Sequence, residues 1–367
     1  MNGPSVNGTK VLRTLAQALL APLIAVVVSV IVTSIVVVIA GASVSDFWNV
    51  ILTVPSHRNL VNITNQSSML FLAALAAAIG FRMNLFNIGV EGQYAVGAFV
   101  GAVVAGTGFF PGKLNVVAAV LAAMVAGALW AGIAGLLKVT RGVSEVISTI
   151  MLNAIAGTLI GYLLNNHGQQ YGQGRRTTPI PESSQLAGWT PWDAVDGSIW
   201  TLTILAVLAG LTMSFVISRT RFGFDLRATG QNENAAIASG VKVKRMVLIS
   251  MLISGAIAGL VWMPALFGQA DYYGPPFQHQ LGFTGIAVAL LGRNRPLGIA
   301  FGAVLFAWLS EQANPLALVA DISPSIVQIT QGVVVLAVVV AYEVVRRWMA
   351  AHEQRELKVA LGAEARA

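Results

Sequence analysis

Cysteine is absent from the 367 residues, and charged side chains make up only 10% of them. The first absence removes disulfides and thiolate metal ligands, and leaves the redox compartment unread. The second is more restrictive, because soluble domains carry about 25% charged residues and this chain is 56% hydrophobic. No charge occurs between residues 14 and 45 or between 246 and 270. Each run exceeds the ~20 residues that span a bilayer as helix, and neither alternates as a barrel strand would. The predicted fold class is therefore all-α, a polytopic membrane helix bundle.

Catalytic chemistry is scarce as well. The four histidines, His57, His167, His279 and His352, are scattered over predicted loops and the tail, with no HExxH or paired spacing. A GxxxxGK[ST] phosphate loop is missing: Lys113 is followed by Leu114, and Thr107 stands where the first glycine would be. Carboxylates deep in a membrane cost ~2.5–3.5 kcal/mol and persist for function. Here Glu91, Glu145, Glu311 and Glu343 all fall within a few residues of a predicted span end. Little therefore supports a membrane enzyme or an ion-coupled carrier, and the chain is expected to bind no metal, ATP or other cofactor by itself.

Ten apolar runs are candidate spans, at about 18–40, 67–81, 84–106, 114–137, 144–164, 199–218, 246–268, 283–291, 297–312 and 325–345. The eighth is too short to cross a ~30 Å hydrocarbon core at 1.5 Å per residue. Residues 283–312 are thus either two crossings or a half-helix turning back near 292–296. The first run follows Lys10 and Arg13 and exceeds the ~7–15 residues of a cleaved signal, so an uncleaved anchor is expected.

With all ten spans crossing and the amino terminus inside, 18 of the 22 Lys and Arg residues are internal. Only Arg58, Lys113, Arg175 and Arg176 are external, an asymmetry that follows the positive-inside rule. Both termini are then cytoplasmic, and the net charge of +7 reflects topology rather than nucleic-acid binding. The expected organisation is a cytoplasmic segment 1–17, a single transmembrane domain 18–345 and a cytoplasmic tail 346–367. Within the domain, 165–198 is the external loop and 219–245 the long internal one. Small residues four apart, at Gly97 and Gly101, Gly157 and Gly161, Gly255 and Gly259, and Gly298 and Gly302, suit close helix packing in lipid.

In the internal loop Asn232 is a good N-cap and Gly240 a good stop, bracketing a two-turn helix. Helices this short do not persist alone in water, so either the parent bundle or a partner must hold this one. The loop string FGFDLRATGQNENAAIASGVKV resembles the coupling segment of permease subunits in ATP-binding-cassette (ABC) importers of the ribose, nucleoside and branched-chain amino acid group. FNIGVEGQYAVGAFVGA at 86–102 and EVISTIMLNAIAG at 145–157 are similar to two further motifs of that group, the former closest to nucleoside-type members. The match runs in order from about 67 to 345.

The resemblance implies a ten-span permease in a bacterial inner or plasma membrane. It implies partner ABC ATPase subunits carrying ATP and Mg2+, a second, paralogous permease in a heterodimer, and an external solute-binding protein. Arg227, Asn232, Glu233, Ala235, Ala236 and Gly240 match the ATPase-coupling pattern, and a bulky replacement of Ala236 is expected to uncouple hydrolysis from uptake. For the substrate path the candidates are polar residues inside spans. Asn84, Asn87 and Glu91 at i, i+3 and i+7 would share a helical face, with Gln93 nearby; Ser148, Thr149 and Asn153 form a second group, and Gln328 and Gln331 a third. Amides suit a nucleoside's hydroxyls and base edge without the desolvation cost of charge. The same residues equally suit broken helix ends or interhelical bonds. Glu91, following Arg82, is expected at cytoplasmic depth, either at an inner gate or bonding freed backbone amides. The residues do not separate nucleosides from simple sugars or branched-chain amino acids.

Overall fold

The computed structural model describes residues 8–193, 196–319 and 322–364. Lys10, Arg13, Arg355, Lys358 and Arg366, which entered the charge count, and His352 have side chains outside the described residues. The helices are α1 (Gly8–Ile39), α2 (Val44–Leu52), α3 (His57–Arg82), α4 (Val90–Thr107), α5 (Lys113–Arg141), α6 (Glu145–His167), α7 (Ile204–Arg219), α8 (Arg221–Gln231) and α9 (Glu233–Ala238). They continue with α10 (Val243–Gly259), α11 (Met263–Ala265), α12 (Leu281–Leu291), α13 (Pro296–Glu311), α14 (Ala313–Val319) and α15 (Ser325–Glu364). Seven helical segments among the described residues are long and apolar enough to cross a membrane, and Leu23–Ile39 and Leu281–Leu291 are shorter apolar helices. The chain forms two compact units, Met1–Thr53 with Gln312–Ala367, and Val54–Glu311.

In the first unit α1 packs along α15. Gln312 donates to the carbonyls of Val50 and Thr53 at 3.0 and 3.1 Å, closing the end of α2. Trp48 donates its indole N–H to Ser34 Oγ at 2.9 Å.

The second unit is built around α3, whose Ala73, Ala74, Ala76, Ala77 and Ala78 are fully buried. Alanines let neighbouring backbones come close, and lipid offers no hydrophobic drive between helices, so packing must hold them. The tightest junction joins α10 to α4 and α5. A Cβ on Gly97 would lie 2.6 Å from Gly259 Cα, and one on Gly127 would strike the Gly255 carbonyl. Gly157 and Gly161 instead meet nothing within 4 Å, so the spacing alone did not mark a contact there. Gly127→Leu is expected to destabilise the protein by at least ~1–3 kcal/mol, the cost of overpacking, whereas Gly157→Leu is expected to leave it unchanged. Thermal unfolding of the two purified variants checks this, and equal midpoints would refute it.

Several boundaries differ from expectation. The predicted span 67–81 is the second half of α3, which begins at His57 because Ser56 caps Asn59 N at 3.3 Å. Its polar first turns escaped a hydropathy count, yet Asn65 is buried, donating to Ser198 O at 2.9 Å and accepting from Trp200 N at 3.0 Å. The predicted span 84–106 opens as a non-helical segment, and helix begins only at Val90. Residues 165–198 are an ordered loop where described: a hairpin pairs Gln169–Tyr171 with Gly174–Arg176, and Trp192 stacks on His57 at 4.7 Å between ring centres.

The eighth run forms a short helix preceded by irregular chain. At 11 residues α12 is about 16 Å long. It runs parallel to α3 at a constant offset: a Cβ on Gly285 would meet Ala73, and Arg82 donates to Asn294 O at 2.9 Å. Both pairs are 212 residues apart, so Gly282 lies level with Leu70, roughly 18 Å up α3 from Arg82. Helix α12 thus starts level with the middle of α3, preceded by the irregular stretch 271–280, and turns at 292–295 into α13.

Candidate functional site

Two regions gather the polar residues of the second unit. The first is the re-entrant connection between α3 and α4. Asn84 ends α3 in left-handed conformation (φ 58°), and Leu85 N returns to Gly80 O at 3.0 Å, the usual closure of a helix C-terminus. Asn84 is exposed and Asn87 lies in the loop, so the two do not share a helical face with Glu91. The i, i+3, i+7 argument assumed continuous helix, which the turn at Asn84 breaks.

Past that turn the chain climbs back along α3 instead of leaving it. Asn87 is fully buried: Nδ2 donates to Gln93 Oε1 at 3.0 Å and to Ser254 Oγ at 2.8 Å, while Oδ1 accepts from Gly89 N and Gln93 Nε2. Ser254 passes the chain on to Ala76 O at 2.6 Å. From α6, Asn153 accepts from Gly92 N at 2.9 Å and donates to Ile88 O at 3.0 Å. Thr149 and Ser148 bond back to Glu145 O and Ser144 O within their own helix. Glu145 itself holds Lys138 at 2.5 Å and accepts from Phe86 N at 3.3 Å. Buried backbone outside a helix needs such partners, because lipid supplies none. The structure brings Asn87, Gln93, Ser148, Thr149 and Asn153 together, with their polar atoms engaged inside the chain. Gln328 and Gln331 lie on α15 in the other unit, the former exposed and the latter half-buried.

Glu91 bonds backbone amides, and its carboxylate stands well along α3 from Arg82. Its carboxylate accepts from Gln280 N at 2.7 Å and Gly282 N at 2.8 Å, so it lies level with the middle of α3, not at the Arg82 end. It caps the start of α12, whose first N–H groups have no intrahelical acceptor and carry the positive end of the helix dipole. Sequence reasoning missed the groups beside it. Tyr94 donates its hydroxyl to Gln278 O, while Gln278, His279 and Gln280 are exposed.

The second region is α8 and α9. Thr220 caps α8 through Gly223 N at 3.2 Å, and Asn232 caps α9 through Ala235 N at 3.0 Å. Gly240 (φ 85°) closes α9, with Val241 N on Ala236 O at 3.0 Å. Arg227 donates to Ile217 O at the end of α7. A Cβ on Gly230 would strike Arg82 O, so α8 abuts the end of α3 directly. Glycine within a short helix was the signal for that junction. Ala236 is buried, 2% exposed, whereas Glu233, Asn234, Ala235 and Ile237 are exposed. A bulky residue at 236 would therefore act first on the protein's own packing. Beside α9 a cavity of about 720 Å³ is lined by Phe222, Ala228, Ala236, Met246 and Ile249 with Arg221, Lys242 and Arg245 at its edge.

Residues 59–341 match the family described as branched-chain amino acid transport system / permease component. The guanosine ABC transporter permease protein NupP of Bacillus subtilis is 35% identical over 334 residues, 89% of this chain and 94% of that protein. The glucose ABC transporter permease protein TsgB13 of Haloferax volcanii is 31% identical, covering 77% of each. A second guanosine ABC transporter permease protein of Bacillus subtilis, NupQ, is 29% identical over 65% of this chain and 75% of its own length. A helical chain with seven candidate spans among the described residues, matched by the family over residues 59–341 and by a permease over 89% of its length, belongs to the branched-chain amino acid transport system / permease component family and is a multi-pass permease subunit of the ABC importer type.

Proposed function

We propose that this permease carries nucleosides, delivered by an external solute-binding protein, across a bacterial cell membrane. The observation that supports this most is the 35% identity that extends over 94% of a guanosine permease. Ten crossings follow if α1, α4 and the broken segment 271–291 are added to the seven long apolar helices. Both termini and the α8–α9 segment then lie in the cytoplasm, where most Lys and Arg residues fall. The core 18–345 is the membrane domain, with 1–17 and 346–367 as cytoplasmic ends.

In this reading ATP and Mg2+ bind a separate ATPase, which docks on the exposed face of α9 around Glu233, Ala235 and Ile237. Asn232 and Gly240 hold that helix in shape, while Arg227 and Ala236 fasten it to the bundle. Two guanosine permeases of one bacterium both match this chain, which supports a heterodimer with a paralogous permease. A hexose is the second reading, favoured by the 31% identity to a glucose permease.

Co-purification of the tagged chain is expected to bring an ATPase and a second permease. Guanosine uptake by vesicles holding that complex is expected to cease when the ATPase is inactivated. Undiminished uptake would refute the ABC mechanism, and glucose uptake without guanosine uptake would favour the second reading.

A further inference from the structure

Beyond Glu91, toward the His57 end of α3, the second unit holds a cavity of about 340 Å³. That volume lies within the ~300–1,000 Å³ of small-molecule sites, at its lower end. Its wall includes Trp200, Trp262, Gln269, Asp271, Tyr272 and Gln278. The depth follows from contacts already described: Trp200 N bonds Asn65 of α3, and Gln278 stands two residues before the amide of Gln280 that Glu91 holds. The cavity therefore spans the levels of residues 65–70 of α3, in the outer half of the membrane under the proposed orientation.

Tyr272 is engaged by Tyr171 and Arg176, but the other polar side chains of the lining that carry an amide or carboxylate are uncommitted. Among the described residues neither the side-chain amides of Gln269 and Gln278 nor the carboxylate of Asp271 has a hydrogen-bond or ion-pair partner. Asp271 adopts a left-handed conformation (φ 58°), fixed by its N–H on Leu266 O at 2.9 Å and by Ile180 N donating to its carbonyl at 2.8 Å. A half-buried carboxylate without a cation is costly; the left-handed backbone itself is the ordinary end of the helical turn Leu266–Ala270. No Lys, Arg or His lines the cavity.

Resting on the nucleoside reading, we propose that this cavity is a transit subsite for an intact, uncharged nucleoside. The half-buried indole of Trp200 offers aromatic surface for the base, and Trp262, 2% exposed, forms part of the wall. Aromatic faces accept any base, since each has a π-face. The Gln269 and Gln278 amides supply donors and acceptors for its edge, and the Asp271 carboxylate accepts from ribose hydroxyls or ring N–H groups. The same carboxylate, with no cation beside it, repels a phosphate, so nucleotides are excluded by charge.

The test uses the assembled complex of both permeases and the ATPase, photolabelled with 8-azidoguanosine. Crosslinks are expected at Trp200 or within residues 262–278, competed by guanosine and not by guanosine monophosphate. Gln269→Ala and Asp271→Asn are expected to reduce labelling roughly 10-fold, with assembly of the complex unchanged. Trp200→Ala is expected to reduce it roughly 10- to 100-fold; should that half-buried residue prove necessary for folding, the first two variants still decide. Guanosine uptake by the wild-type complex with crosslinks elsewhere, with labelling indifferent to both polar variants, or with equal competition by the monophosphate would overturn the subsite alone. A wild-type complex that transports glucose and not guanosine would overturn the functional reading and the ligand class together.

Discussion

Glu91→Ala is expected to abolish uptake and to lower the thermal stability of the purified permease. Two backbone amides, of Gln280 and Gly282, lose their acceptor, and the part-buried one of Gly282 is left unsatisfied at ~1–3 kcal/mol. Lipid offers no substitute, and the affected helix is the 11-residue α12, which cannot stand on propensity alone. Glu91→Gln separates charge from hydrogen bonding. Its amide oxygen still accepts while its NH2 faces a second donor, so an intermediate loss in both readouts is expected. Uptake and unfolding midpoints measured on the same preparations check the series. Wild-type behaviour of the alanine variant would show that α12 does not depend on this cap.

The second large effect is expected at α9. Ile237→Asp places charge on an exposed apolar side chain, 55% accessible, beside Glu233 and Ala235. The permease should keep its stability, because the residue contributes little to the protein's own packing, but should lose its ATPase on purification and more than about 10-fold of ATP-dependent uptake, equivalent to ~1.4 kcal/mol of docking. Ala236→Leu should do the reverse. Its side chain points into the chain's own packing, so the unfolding midpoint falls first, by an overpacking cost of ~1–3 kcal/mol. If Ile237→Asp retains both partner and uptake, the docking face lies elsewhere.

Glu91 and Ala236 also mark where sequence reasoning stops. Both were legible as special: a glutamate between glycines inside an apolar run, and a small residue in a capped two-turn helix. Neither residue's surroundings could be read, because periodicity speaks only of neighbours within one continuous element. Glu91 answers to amides 189 and 191 residues away, and Asn87 to a serine 167 residues away. Hydropathy likewise missed the first turns of α3, where Asn65 is buried and bonded, since a satisfied polar residue scores like an exposed one.

By itself the sequence determined the helical membrane class, the asymmetry of basic residues, the capped helix between Asn232 and Gly240 and the motifs shared with ABC permeases. Each is a local or additive property of the chain, readable from composition, spacing or a short string. Only the tertiary structure decided that residues 84–89 re-enter the bundle, that Glu91 stands level with the middle of α3, and that most of the predicted polar path residues spend their hydrogen bonds inside the protein. It also decided that free polar groups collect instead around Trp200, Trp262 and Asp271. The physical reason is the demand for partners: in lipid every broken helix end must find one, and which one it finds depends on packing between segments far apart in the chain.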